Sequence, residues 1–218
     1  MNPNIKRRGM LIILSSPSGV GKTSISKAIL ARDLAIRLSV SATTRSQRAG
    51  EVEGKDYFFL SQEQFKAHRD NSDFIESALV YGNYYGTFRT FVDKSLADGV
   101  DVMFDIDWQG AQQLAQVYAQ DMVRIFVLPP SVEQLETRLR DRKTDNEEVI
   151  KYRMSNVTNE ISHWAEYEYV VINEKLEDTI NAIHAIIRSE RLKRRRQVDI
   201  ADFVQKLRMD SEKYVFRS

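Results

Sequence analysis

The stretch from Ser15 to Thr23 constrains the fold of this chain more than any other part of the sequence. It lies between an apolar run, Met10–Leu14, and the segment Ser24–Leu30, whose apolar residues recur at helical spacing. Small residues between a strand and a helix let backbone N–H groups surround a phosphate, while the helix directs its positive N-terminal end toward that phosphate. The stretch therefore predicts a phosphate-binding loop, or P-loop.

The P-loop pattern is complete except at its first position, where Ser16 stands in place of glycine. We predict that Lys22 reaches the β- and γ-phosphates of a nucleoside triphosphate and that the Thr23 hydroxyl coordinates Mg²⁺. Serine adopts a positive φ at a higher cost than glycine, which makes Ser16 a departure from the motif. The alternative interpretation is a Ser/Gly-rich turn with an exposed lysine. The predicted phosphate-binding residues of the loop are Ser16, Pro17, Ser18, Gly19, Val20, Gly21, Lys22 and Thr23.

Composition is typical of a soluble globular protein. The chain has 218 residues, of which 42% are hydrophobic and 29% charged, and its net charge of +1 gives no global attraction to nucleic acid or membrane. It contains no cysteine, which excludes disulfides, thiol catalysis and cysteine-based metal sites. No apolar run approaches the roughly 18 residues of a membrane span, and Met10–Leu14 is too short for a signal peptide. We therefore expect a cytoplasmic protein without a nucleic-acid or membrane partner, and leave a homo-oligomer open.

Apolar strands alternate with amphipathic helices along the chain, which predicts an α/β fold with a mainly parallel sheet. Such a sheet binds ligands at the carboxyl ends of its strands, where the P-loop, Asp105, Asp107 and Asn173 fall. We predict a loop with exposed aromatics over Gly82–Thr87. The predicted strands cover residues 10–14, 36–41, 57–60, 74–80, 100–104, 123–128 and 169–172. Helices are predicted after Thr23, after the capping boxes that begin at Ser61 and Ser131, through Phe91 to Gly99, after Asp145, and from about Glu177 to Arg191.

Two further groups of side chains indicate a second ligand. The first group consists of donors suited to a phosphate, because guanidinium groups bind phosphate in a forked geometry and tyrosine hydroxyls add neutral donors. The second group is acidic and hydroxylic, and suits a base that carries N–H donors. The first comprises Arg45, Arg48, Tyr57 and Tyr85, and the second comprises Glu76, Ser41, Thr87 and Asp107.

Four segments carry a family resemblance: Ser41–Tyr57, Phe74–Glu76, Gly82–Thr87 and Asp105–Gly110. On these segments the chain resembles the guanylate kinases, over about residues 10–188. The resemblance implies a P-loop parallel-sheet core flanked by helices, with an inserted GMP-binding region and a helical lid. It implies core at 1–40 and 91–130, the GMP-binding region at 41–90, the lid at 131–164, and core with a C-terminal helical tail at 165–218.

The resemblance also implies an activity and roles for individual residues. The activity is Mg²⁺-dependent transfer of the γ-phosphoryl group of ATP to GMP or dGMP, giving ADP and GDP, in purine nucleotide metabolism. Asp105 would orient Mg²⁺ or its waters beside Thr23, Asn173 would lie beside the adenine of ATP, and Glu76 would accept hydrogen bonds from guanine. The implied catalytic residues are Lys22, Arg45, Arg138, Arg142 and Arg153, with Arg140 a weaker candidate. The implied GMP-binding residues are Ser41, Arg45, Arg48, Tyr57, Glu76, Tyr85, Thr87 and Asp107.

Two alternatives stay open, one from another class of protein and one within the kinases. A guanylate-kinase-like scaffold domain binds phosphopeptides without catalysis, but such domains generally lack a working P-loop. A kinase for another nucleoside monophosphate is disfavoured by Glu76 and by the two arginines of the Ser41–Tyr57 segment. Lys143 stands where the family often has glycine, which bears on lid flexibility. We interpret the basic run Arg191–Arg196 as a solvated helix end, and we expect surface or partly buried roles for His68, His163 and His184.

Overall fold

Five parallel strands form the central sheet of the computed structural model, which describes residues 5–48, 50–80, 82–141 and 147–215. Each strand pairs in parallel with its neighbours, in the order β2-β7-β1-β8-β9. The predicted parallel α/β core is therefore confirmed. The strands are β1 (Leu11–Ser15), β2 (Ile36–Leu38), β7 (Asp101–Phe104), β8 (Met122–Leu128) and β9 (Tyr169–Ile172).

Strand β1 lies at the centre of the core and is buried along its whole length. Successive side chains of a strand point to opposite faces, so Ile12 and Leu14 join one apolar cluster while Leu11 and Ile13 join another. A parallel sheet covered on both faces needs such a continuous apolar strand. The helices on the Ile12 face are α1 (Lys22–Arg32), α5 (Val132–Asp141), α6 (Glu147–Ser162) and α7 (Leu176–Arg191); those on the Leu11 face are α3 (Arg89–Ala97) and α4 (Trp108–Tyr118).

A second sheet, of four strands, is inserted between β2 and α3. Its strands are β3 (Ala42–Thr43), β4 (Phe58–Phe59), β5 (Phe74–Val80) and β6 (Asn83–Phe88), in the order β4-β3-β6-β5. Helix α2 (Gln62–Asp70) covers this sheet through Phe65 and begins at the capping box that the sequence predicts between Ser61 and Gln64.

Strand β6 corrects the sequence prediction of a loop over Gly82–Thr87. The segment pairs antiparallel with β5, and Glu76 lies opposite Thr87 while Ala78 lies opposite Tyr85. The Gly82-Asn83 pair is a turn signal, and here it begins the second strand of a hairpin rather than a longer loop. The correction matters for function because it places Thr87 and Glu76 on neighbouring strands.

Helix α4 was not predicted from the sequence. It begins after Asp107, whose Oδ1 accepts a hydrogen bond from the backbone N–H of Gly110 at 2.9 Å. The residues Asp105–Asp107 therefore lie in the short turn between β7 and α4. Both carboxylates stay at the sheet edge because this turn is short.

The C-terminal part ends in helix α8 (Ile200–Val215), and the basic run before it differs from the prediction. Arg196 is 1% exposed and pairs with Glu190, and Arg191 pairs with Asp33 and Asp101. The predicted solvated helix end is therefore wrong for these two arginines, because Arg196 is buried and Arg191 is partly buried, each paired with carboxylates. Among the described residues, no helix combines the length and the hydropathy needed to span a membrane.

Candidate active site

The P-loop wraps from β1 into α1 with two glycines in the left-handed region. Gly19 has a φ of 92° and Gly21, the residue before α1, has a φ of 106°. A Cβ at Gly19 would also lie 2.8 Å from the Leu139 side chain of α5, so both backbone angle and space require glycine. Ser16 has no such requirement, because Ser72 is the only non-glycine residue with a positive φ in the described chain. The departure at position 16 therefore introduces no backbone strain.

Lys22 is held at the same sheet edge by the turn after β7. Its Nζ lies 2.7 Å from Asp105 Oδ1 and donates a hydrogen bond to the Ile106 carbonyl at 3.0 Å. Both side chains are partly exposed. The structure thus brings Lys22 and Asp105 together, and Thr23, the next residue of α1, lines the P-loop cavity with Lys22.

Two residues of α6 contact a single P-loop residue, Ser18. Arg153 Nη1 donates to Ser18 Oγ at 3.0 Å, and Glu160 Oε2 accepts the Ser18 backbone N–H at 3.0 Å. Glu160 was not predicted from the sequence. The available signal was its spacing from Arg153, a predicted catalytic residue. Seven residues are about two helical turns, so the two side chains lie on the same face of the helix.

The other lid arginines have different positions. Arg138 of α5 donates to the carbonyls of Val20 and Asn173, at 3.0 Å each. Arg140 pairs with Glu136 and Glu147 on the surface. Arg142 and Lys143 lie outside the described residues.

Asn173, directly after β9, is 4% exposed and bonded at both ends of its amide. Its Nδ2 donates to the Val20 carbonyl at 2.8 Å, and its Oδ1 accepts from Thr179 at 3.0 Å. Together with Arg138, it fixes the carbonyl of Val20 in the middle of the P-loop.

The predicted phosphate-binding group of the inserted sheet is assembled around Arg45. The Arg45 guanidinium lies 5.3 Å from the centre of the Tyr57 ring, and the rings of Tyr57 and Tyr85 are 6.1 Å apart. Glu51 joins this group, since its carboxylate lies 2.6 Å from Arg45 Nη2 and accepts the Arg48 backbone N–H at 2.8 Å. The bond from Arg45 lowers the pKa of Glu51, and burial raises the pKa of Tyr57.

Glu51 was missed in the sequence analysis. An acidic residue three positions after Arg48, within a loop rich in arginine, was the available signal. Its carboxylate holds the loop in shape through contacts to both arginines.

The predicted base-binding group centres on Glu76, which is 7% exposed. Thr87 Oγ1 donates to Glu76 Oε1 at 2.8 Å, and Ser39 Oγ lies 3.3 Å from Thr87 Oγ1. Because the Thr87 hydroxyl has one hydrogen and gives it to Glu76, Ser39 donates to Thr87. Burial raises the pKa of Glu76, the Thr87 bond lowers it, and the negative charge of Asp107 raises it. Ser39 was not identified from the sequence; Ser41 lies just before β3.

Asp107 connects this group with the P-loop. It acts electrostatically on Glu76, and it also lines a cavity of about 220 Å³ together with the P-loop and Glu160. A base held at Glu76 and a phosphate chain held by the P-loop would therefore face the same short turn after β7.

A family model described as guanylate kinase matches residues 8–190 of the chain. The chain belongs to the guanylate kinase family. Two relatives named guanylate kinase are 54% identical over 206 residues in Paramagnetospirillum magneticum and 52% identical over 204 residues in Sphingopyxis alaskensis. These alignments cover 94% of this chain in both cases, and 96% and 93% of the respective relatives.

A solved guanylate kinase structure has the same fold. The crystal structure of guanylate kinase from Anaplasma phagocytophilum superposes with a TM-score of 0.73 at 36% identity, covering 93% of this chain and 96% of that one. The family, the α/β fold class and the enzyme class predicted from the sequence, an ATP:GMP phosphotransferase of the nucleoside monophosphate kinase type, are confirmed.

Proposed function

We propose that this guanylate kinase family member transfers the γ-phosphoryl group of ATP to GMP or dGMP with the residues assembled above, giving ADP and GDP. The observation that carries the assignment of the acceptor site is the buried Glu76 carboxylate, which accepts a hydrogen bond from Thr87. Asp107 acts electrostatically on Glu76 and also lines the P-loop cavity. Burying the Glu76 carboxylate costs free energy, and hydrogen-bond donors from a ligand would offset that cost.

Glu76 would bind the edge of guanine that adenine lacks. Guanine presents an N1–H and an N2 amino group side by side, and a carboxylate offers two acceptor oxygens to that pair of donors. Thr87 holds one of these oxygens from inside the protein, which fixes the plane of the carboxylate. Ser41 and Asp107 complete the base site in this proposal.

The phosphate of GMP would lie against Arg45, Arg48, Tyr57 and Tyr85. Arginine binds phosphate with paired N–H donors, and the tyrosines donate hydroxyl hydrogens. Glu51 holds the Arg45 side chain and the Arg48 backbone, so the Arg45 guanidinium and the Arg48 stretch of the loop are placed before the ligand arrives. Such placement reduces the entropy lost on binding.

The phosphates of ATP would bind to the P-loop amides and to Lys22. Asn173 and Arg138 brace the Val20 carbonyl, and this bracing keeps the loop in the phosphate-binding conformation. The adenine would lie near Asn173, at the carboxyl end of β9. We assign to Arg45 and Arg153 the neutralisation of negative charge on the transferring phosphoryl group. Arg142 has the same proposed role from the sequence alone.

Mg²⁺ fits the oxygen donors next to Lys22. Magnesium is usually held by one or two carboxylates together with substrate phosphates, and Asp105 and Thr23 supply oxygen ligands of that kind. The described residues contain no cluster of three or more metal-binding side chains, so the phosphates would supply most of the ligands. When bound, Mg²⁺ neutralises phosphate charge.

Phosphoryl transfer at this site needs no general base, because the acceptor is a phosphate oxygen that is already anionic. The residues of the chain would act by positioning the two nucleotides and by neutralising charge on the transferred group. Packing of α6 on the P-loop would exclude water, which competes as an acceptor.

A coupled assay of ADP release tests the proposal. We expect turnover with GMP and dGMP and far less with AMP, CMP or UMP, with Mg²⁺ required. Equal turnover with AMP would contradict the role given to Glu76, and ADP release without any monophosphate acceptor would contradict the proposed transfer.

A further inference from the structure

The side chain of Glu160 accepts a hydrogen bond from one of the P-loop backbone amides. Its Oε2 accepts the backbone N–H of Ser18 at 3.0 Å, and its side chain lines the same cavity as the P-loop. Backbone N–H groups in such a loop bind anions, and in this structure the anion bound to Ser18 is a carboxylate of the chain itself.

The same helix also presents a cation to Ser18. Arg153 and Glu160 are seven residues apart on α6, about two turns, and therefore lie on one face. Arg153 bonds the Ser18 hydroxyl while Glu160 bonds the Ser18 amide. The two side chains together fasten α6 to the P-loop.

Arg153 and Glu160 differ in what they do once a triphosphate binds. A guanidinium attracts the phosphates, whereas a carboxylate next to them is repelled and competes for the same donors. Binding of the triphosphate therefore favours retention of the Arg153 contact and loss of the Glu160 contact.

We propose that Glu160 is an internal competitor of the ATP phosphates and thereby lowers the affinity for ATP. The inference rests on the proposed function of the P-loop as the ATP site. If ATP binds only to molecules in which the Glu160 contact is broken, its apparent affinity equals its intrinsic affinity multiplied by the fraction of such molecules.

The test compares Glu160→Gln with Glu148→Gln in the full chain. Glu148 lies on the same helix, is exposed, and loses the same charge when it becomes glutamine. Calorimetry would measure the Kd of each variant for ATP, for GMP and for inorganic tripolyphosphate. Glu160→Ala provides a second variant, since glutamine can still accept a neutral hydrogen bond.

Loss of one competing charge-assisted hydrogen bond should lower the Kd of Glu160→Gln for ATP by about three- to tenfold. Tripolyphosphate should bind more tightly by a similar factor, because the competition concerns phosphates and not the base. The Kd for GMP should stay unchanged, and Glu148→Gln should bind all three ligands as the wild type does.

Unchanged or weaker ATP binding in both Glu160 variants would overturn the proposal and leave Glu160 a structural contact. Equal tightening in Glu148→Gln would overturn it in favour of a general effect of net charge. ATP binding that is also insensitive to Lys22→Met would instead contradict the ATP site proposed at the P-loop, and so separates the two failures.

Discussion

Thr87 donates its hydroxyl hydrogen to Glu76 Oε1 at 2.8 Å, across two paired strands of the inserted sheet. The bond orients a carboxylate that is only 7% exposed. Burial raises the pKa of Glu76, while the Thr87 bond opposes that increase by stabilising the ionised form. The two residues therefore determine together over which pH range the acceptor site can bind guanine donors.

The KM for GMP should rise as the pH is lowered through the raised pKa of Glu76, because a protonated carboxyl offers one acceptor less. In Thr87→Val the increase should begin at higher pH, since the bond that lowers the pKa is gone. At neutral pH the lost hydrogen bond should raise KM by about 2- to 10-fold. The phosphate of GMP loses its second proton at pH ~6, and this affects KM in the wild type and in Thr87→Val alike. Only the difference between the two pH profiles of KM therefore reports on Glu76. Superimposable pH profiles of KM would contradict this account.

The same pKa shift has a consequence for stability. Because the pKa of Glu76 is raised in the folded protein, the folded state binds a proton more tightly than the unfolded chain. The contribution of Glu76 to the free energy of unfolding is therefore favourable at low pH and is lost as the pH rises through the folded-state pKa. Urea unfolding of the wild type and of Glu76→Gln at several pH values measures this, and the variant should gain relative stability as the pH rises. A constant difference across pH would refute it.

Lys22→Met should lower kcat by at least about 10²- to 10³-fold, because it removes a cation from the site of the transferred phosphoryl group. The fold should persist, since Asp105, left without its partner, is partly exposed and the loss of such a pair costs at most about 1 kcal/mol. Steady-state kinetics measures the first effect and circular dichroism the second. Turnover like that of the wild type in folded Lys22→Met protein would exclude the P-loop assignment.

Asp101→Asn should destabilise the core by about 3–5 kcal/mol, because it removes a fully buried negative charge that pairs with Arg7 and Arg191. Both arginines are partly buried, and Arg191 keeps its second partner, Asp33. Asp101 is fully buried and accepts hydrogen bonds from Arg7, from Arg191 and from the Met10 backbone. Chemical denaturation measures the effect. Asp98→Asn is the control, since its pair with Lys94 is exposed and should contribute no more than about 0.5 kcal/mol. An equal decrease in the free energy of unfolding in both variants would contradict a stabilising role for the buried contacts of Asp101.

Local patterns allowed much of this fold to be predicted. The strand before the P-loop, the capping box at Ser61 and the strand Phe74–Val80 follow from neighbouring residues alone and are confirmed. The P-loop, Asp105, Asp107 and Asn173 lie after the carboxyl ends of β1, β7 and β9, which run in parallel in one sheet, as the sequence predicts. Their role as a functional site stays a prediction.

What the sequence could not provide was the set of long-range partners. Arg196 donates to the Asp121 carbonyl, 75 residues away, in addition to its pair with nearby Glu190. Arg191 pairs with Asp33 and Asp101, which are also far away in sequence. Ser39 and Glu160 escaped prediction for the same reason, since each contacts a residue that only the fold brings near. Glu51 is different, because its partners Arg45 and Arg48 are close in sequence. The loop predicted at Gly82–Thr87 became a strand because β5 pairs with it.

The central claim, that Glu76 recognises guanine, is tested most directly by kcat/KM for GMP and for AMP in the wild type and in Glu76→Gln. Glutamine keeps the shape but places an NH₂ donor against an N–H of the base, which costs roughly 2–4 kcal/mol. We therefore predict a fall in kcat/KM for GMP of about 30- to 800-fold, a smaller preference for GMP over AMP, and an unchanged Kd for ATP by calorimetry. Wild-type kinetics with GMP, or an equal loss of ATP affinity, would contradict the claim.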